Sequence, residues 1–189
     1  TDDWQRIMTD TARDIRSVST ELTIVATGAC GGSVAGLANL NPTFDDPNIY
    51  YSFHMYEPHS FTHQRSERSD GFLSGLPWPA SKGTPAATVQ NLEDKMDVAG
   101  LSADEKAASL SEAKPIIEKY FEDDWGQSQL DERFSKATSW AKSHEIPARR
   151  LFMGEFGAIL MPGRGNMGAT NADRLRYIKA VRQSAEKSD

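Results

Sequence analysis

Three short β-forming runs, residues 22–27, 49–56 and 150–156, are separated by stretches whose apolar residues recur at helical spacing. Strands that alternate with helices fold as a parallel sheet with helices outside it, rather than as a sandwich. The fold class read from the chain is therefore α/β. Three parallel strands leave both sheet edges open, which natural folds avoid.

The helical stretches follow from the same reading. Over residues 3–17, Trp4, Ile7, Met8 and Ile15 recur with Val18 at three, four and seven, with no Gly or Pro between them, and predict an amphipathic helix. Residues 33–40 predict two helical turns ended by Asn41-Pro42, and Asp45-Asp46-Pro47-Asn48 turns the chain into the second strand. After Pro58 the breakers Gly71, Gly75, Pro77, Pro79, Gly83 and Pro85 predict a long irregular stretch. Helical signals resume at Ser102, which has capping-box spacing to Glu105, and Pro115 is expected to divide that region into two helices. A further helix from Ser128 puts Leu130, Phe134, Ala137 and Ala141 on one face. Beyond the glycine-rich loop 162–168, Asn171 is expected to cap a last helix with Leu175, Ile178, Val181 and Ala185 on its face.

Charge narrows the function. The 189 residues carry 21 Lys+Arg against 27 Asp+Glu, a formal net charge of −6 with a pI near 5.3, which argues against a phosphate-gripping surface and hence against nucleic acid as a partner. No apolar run approaches the roughly 18–20 residues that span a bilayer, so a soluble protein without a membrane partner is expected. Cys30 is the single cysteine and makes neither an intrachain disulfide nor a zinc site alone. The chain starts at Thr1 without a leader-like segment and is read as processed or cut.

Active sites of α/β folds gather at the carboxyl ends of the strands. The second strand ends in Phe53-His54-Met55-Tyr56-Glu57-Pro58, so His54 and Tyr56, two apart, are expected on one side and Glu57 on the other. The third ends in Phe152-Met153-Gly154-Glu155-Phe156-Gly157, one carboxylate between glycines that allow close approach. A carboxylate beside a His and a Tyr suits a nucleophile whose charge is held by hydrogen bonds. Phe61, Phe72 and Trp78 form either an aromatic surface for sugar rings or a hydrophobic cluster that pins the loop. His54, His59 and His63 share no helix face and no HExxH order, and residues 28–36 match neither nucleotide-loop pattern, so neither metal nor cofactor is expected.

The segments Ile49-Tyr50-Tyr51-Ser52-Phe53-His54-Met55-Tyr56-Glu57-Pro58, Phe61-Thr62-His63-Gln64 and Leu151-Phe152-Met153-Gly154-Glu155-Phe156-Gly157 together resemble glycoside hydrolase family 5, the cellulase family. The resemblance implies a partial (β/α)8 barrel, its three strands being the fifth to seventh, and a retaining endoglucanase acting on a β-linked polysaccharide such as β-1,4-glucan. It implies Glu155 as nucleophile, His54 and Tyr56 as contacts to sugar and nucleophile, and a secreted or periplasmic setting; Trp78, from the loop aromatics and not from the resemblance, is the substrate-binding candidate. The family's acid/base follows Asn in an Asn-Glu-Pro motif, which is absent, and its eighth-strand aromatic should follow the last helix, where the chain ends at Asp189. Where the family often has a Trp after the Gly-rich turn, this chain has Cys30-Gly31-Gly32.

A (β/α)8 barrel takes about 250 residues. The expectation is thus one incomplete catalytic domain over residues 1–189, with a loop and helical insertion at about 57–148 and the remainder of the barrel as its partner. Such a chain carries the nucleophile but not the acid/base and is inactive alone. The alternative is a non-catalytic carbohydrate-binding barrel remnant.

Overall fold

The computed structural model describes residues 2–42, 44, 46–64, 73–161 and 167–188. Phe72 and residues 162–166 of the glycine-rich loop lie outside them. The three β runs form one parallel sheet in the order β1-β2-β3: Ile24–Thr27, Ile49–Met55 and Leu151–Phe156. Ile24 pairs with Ile49 and Tyr51 with Leu151. Two compact units share the chain: Thr1–Met55 with Asp131–Phe156 and Ser184–Asp189, and Tyr56–Leu130 with Gly157–Gln183.

The first unit holds the sheet. Alternation along β2 sends Ile49, Tyr51, Phe53 and Met55 to one face, where all four are buried. The Gln127–Ser143 helix covers that face: Trp140 meets the Tyr51 ring edge-on at 5.2 Å, and Phe134 meets Phe53 at 5.7 Å. Trp140 Nε1 donates to the Leu40 carbonyl at 2.8 Å, so the buried indole leaves no orphaned donor. On the opposite face Val25, Tyr50 and Phe152 are exposed, and among the described residues no further strand pairs with either outer strand.

Strand entry in this unit is organised by charge. Arg16, in the last turn of the Asp2–Val18 helix, donates to Asp46 and to the Leu22 and Asn48 carbonyls, while Arg150 donates to the Ile49 and Asp46 carbonyls at 2.7 Å each. The Arg16 hydrogen bond, aided by the Asn48 backbone N–H and opposed by burial, holds the Asp46 carboxyl below its ordinary range. A depressed folded-state value contributes stability that is present above the unfolded pKa and lost as pH falls through the folded one. Asp46→Asn is therefore expected to cost about 1.5 kcal/mol near neutral pH. That difference from wild type should shrink as the pH drops below about 4, which urea unfolding at several pH values will measure.

The second unit is helical. The Pro85–Val98 helix, not anticipated from sequence, starts at Thr84, whose hydroxyl accepts from Ala87 N at 3.2 Å. Pro85 sits in its first turn, where the missing N–H is no loss, so a residue read as a breaker is a starter. Ala103–Glu122 is one unbroken helix, correcting the division expected at Pro115. Pro115 is exposed, so the carbonyl it leaves unbonded can turn to water, while Ala113, Ile117 and Tyr120 are buried. The Ser102/Glu105 capping box is formed. The last helix, Asn171–Glu186, begins one residue away from the expected cap: Thr170 Oγ1 accepts from Asp173 N at 3.1 Å. A short antiparallel pair, β4 Leu160–Met161 with β5 Met167–Gly168, was not anticipated either. Among the described residues, no helix is long and apolar enough to cross a membrane.

Candidate active site at the carboxyl ends of the strands

The chain leaves β1 through a turn in which Cys30, Gly31 and Gly32 are all left-handed, with φ of 58°, 65° and 73°. The turn delivers Ser33 to a parallel bridge with His54. The glycines at 28 and 36 serve packing: a Cβ on Gly28 would fall 2.2 Å from the Gly36 carbonyl carbon, so two backbones touch there.

β3 reaches the same level by a different device. Phe53 pairs with Met153, but His54 pairs with Glu155, the register slipping by one residue between them. Gly154 is the extra residue of a bulge. With strict alternation Glu155 would share the face of Met153 and point away from His54, because a shift of one residue reverses every side chain. The bulge turns the carboxylate onto the His54 face, a known use of bulges beside functional sites. There Glu155 Oε2 lies 3.5 Å from His54 Nδ1, with the two side chains 55% and 25% exposed. That separation is longer than a strong hydrogen bond, as is common before a substrate closes a site.

Sequence reasoning named His54 and Glu155 but missed the polar groups around them. Ser52 lies two residues before His54, and Thr27 Oγ1 is 3.5 Å from the Ser52 carbonyl. The signal was the alternation of β2 itself, which puts Ser52 on the His54 side. The arrangement offers a solvent-reached carboxylate with an imidazole beside it, on a wall of hydroxyls and glycines. Such a group can attack an electrophilic carbon.

The remaining predicted residues belong to the second unit. β2 ends at Met55, so Tyr56 lies beyond the strand and strand alternation no longer governs it or Glu57. The Tyr56 ring packs edge-on against His63 at 5.2 Å, and its carbonyl accepts from Thr62 Oγ1 at 2.6 Å. The expectation that the histidines share no helix face is corrected for His59 and His63. The His59–Thr62 turn sets their Nδ1 atoms 3.3 Å apart. Burial, and then the neighbouring His59, hold the His63 imidazole below its ordinary range.

Trp78 is also corrected. It is 2% exposed, packed edge-on to Tyr177 at 4.9 Å and against Phe61 at 5.3 Å, and offers no ring face to a sugar. Of the two readings of these aromatics, the buried cluster is the one observed for Trp78 and Phe61. Gln64, fully buried, anchors the same cluster by bonding Leu76 N at 2.8 Å and the Phe61 carbonyl at 3.0 Å.

Endoglucanase 3 of Fibrobacter succinogenes (strain ATCC 19169 / S85) is 31% identical over 170 residues, which are 89% of this chain and 22% of that protein. Among solved structures, endoglucanase Cel5A of the hyperthermophilic Thermotoga maritima superposes with a TM-score of 0.63 at 23% identity, covering 98% of this chain and 44% of its own. A hyperthermophilic endo-β-1,4-glucanase in complex with substrate superposes with a TM-score of 0.62 at 22% identity, over 98% and 43%. These neighbours are (β/α)8 barrels, and the present sheet and helices match less than half of each. The family model for cellulase (glycosyl hydrolase family 5) matches residues 1–187, and the chain belongs to that family.

Proposed function

We propose that this chain supplies the nucleophile of a retaining endoglucanase acting on β-1,4-linked glucan outside the cell, with Glu155 in that role. His54 holds its charge, Tyr56 contacts the sugar, and the three strands are the fifth to seventh of the barrel. The observation that carries this reading is the bulge at Gly154, which sets Glu155 on the face of His54 at the strand ends. The relative's name and the substrate-bound neighbour support a glucan as substrate.

A retaining mechanism needs two carboxyl groups about 5–5.5 Å apart, one attacking the anomeric carbon and one protonating the leaving oxygen. No Asn-Glu-Pro motif occurs in these 189 residues, so the proton donor comes from the remainder of the barrel. The exposed Val25, Tyr50 and Phe152 and the two outer strands, with which no further strand pairs among the described residues, suit strands added there. The alternative of a carbohydrate-binding remnant loses its anchor, because Trp78 is buried.

An activated 2-deoxy-2-fluoro-β-cellobioside tests the assignment without a proton donor. The Glu155 carboxylate displaces dinitrophenolate at the anomeric carbon and forms a glycosyl ester, which the fluorine slows from hydrolysing. With the barrel complete, the expected result is about one dinitrophenolate released per chain. Mass spectrometry should place the adduct on the peptide containing Glu155. An adduct on another carboxylate, or release undiminished in Glu155→Gln, overturns the proposal.

A further inference from the structure

Glycines stand against two edges of the His54 ring. A Cβ added to Gly32 would lie 3.1 Å from Nδ1 and 3.2 Å from Cε1, and one added to Gly154 would lie 3.2 Å from Nε2 and 3.3 Å from Cδ2. Ordinary carbon contacts sit at about 3.5–4.0 Å, so a side chain at either position would press on the imidazole and displace it by a few tenths of an ångström. The same added Cβ atoms would each lie 3.0 Å from a hydroxyl, Thr27 Oγ1 at Gly32 and Ser52 Oγ at Gly154.

The two positions ask for glycine on different grounds. Gly32 has φ of 73°, so the backbone alone favours glycine there. Gly154 is outside the left-handed region, and a larger residue could adopt its backbone. What disfavours a side chain at 154 is the space taken by His54 and Ser52.

We propose that Gly32 and Gly154 are positioning residues that clamp the His54 imidazole so that Nδ1, carrying the proton, faces Glu155. The inference rests on the reading of Glu155 as nucleophile and His54 as its partner. It adds what fixes that partner. Nδ1 is the ring nitrogen that lies 3.5 Å from Glu155 Oε2, and the tautomer follows from which nitrogen the carboxylate meets. The bulge and the clamp are then one device: the residue that re-aims Glu155 also walls in the ring that receives it.

The test reads the ring directly. Long-range proton–nitrogen NMR of the histidine side chains is recorded for wild type, Gly154→Ala, Gly32→Ala and Gly31→Ala. Gly31 has φ of 65° with nothing within 4 Å of an added Cβ, so it reproduces backbone strain without touching the ring. The expected result is an Nδ1-protonated His54 in wild type and in Gly31→Ala. In Gly154→Ala and Gly32→Ala the His54 nitrogen signals shift and the tautomers mix, while His144 stays unmoved.

His54 signals unchanged in both folded clamp variants, or moved as far by Gly31→Ala, overturn the proposal. Should Gly154→Ala fail to fold, His54→Ala is added to it. Folding restored by deleting the ring supports the clamp, since the Ser52 hydroxyl can rotate away, and continued unfolding overturns it. The NMR result is independent of whether a glycosyl ester forms on Glu155, so failure of the nucleophile assignment is seen separately, in the trapping experiment.

Discussion

Glu155→Gln is expected to lower β-1,4-glucan hydrolysis by the complete barrel at least about a thousandfold while changing stability by less than about 0.5 kcal/mol. The two effects separate because of where the side chain sits. Its side chain is 55% exposed, so little packing is lost when one oxygen becomes an amide nitrogen. The amide cannot form the glycosyl ester, and every turnover of a retaining enzyme passes through that ester. Reducing-sugar release and urea unfolding measure the two quantities. Activity within tenfold of wild type would remove Glu155 from the nucleophile's role. Glu155→Ala adds a second check, since azide entering the vacated space should attack the same face of an activated β-glucoside and give an α-glycosyl azide.

Trp78→Ala is expected to destabilise the second unit by about 3–5 kcal/mol, the range for deleting a large buried aromatic. The loss is ring burial and its contacts with Tyr177 and Phe61. The backbone bonds survive: Trp78 N donates to Asp173 at 2.8 Å and its carbonyl accepts from Arg176 at 2.7 Å, whatever the side chain. Tyr177 loses its neighbour, and its hydroxyl bond to the Glu57 carbonyl at 3.1 Å should weaken with it. Urea unfolding and near-UV circular dichroism read both effects. Leu175→Ala, at a side chain 66% exposed on the same helix as Tyr177, is the control and should cost under about 0.5 kcal/mol. Equal costs for the two would show that the aromatic cluster is not what holds this unit.

Much of the architecture was legible because it depends on local pattern. The helix over residues 3–17, the Ser102/Glu105 capping box and all three strands follow from periodicity and cap chemistry, which need no tertiary partner. The errors have local causes too. By sequence Pro85 and Pro115 both suggest breaks, but one sits in a first turn and the other on an exposed helix face, and only position within the finished helix distinguishes these from a true break. The aromatics of the loop posed the opposite difficulty: Trp78 reads the same whether it lines a cleft or fills a core, and only the packing of Phe61 and Tyr177 around it decides.

The α/β class, the positions of the three strands along the chain and the residue types at their ends are legible in the chain because they are written in spacing and in motif. Spacing alone puts His54 and Glu155 at two strand ends without joining them; their meeting is an expectation of the family resemblance, not of the strand pattern. Strict alternation would have sent Glu155 to the far side of the sheet. Only the tertiary structure put the two on one face, through a one-residue register slip at Gly154, because strand pairing is set between distant segments and not within either one.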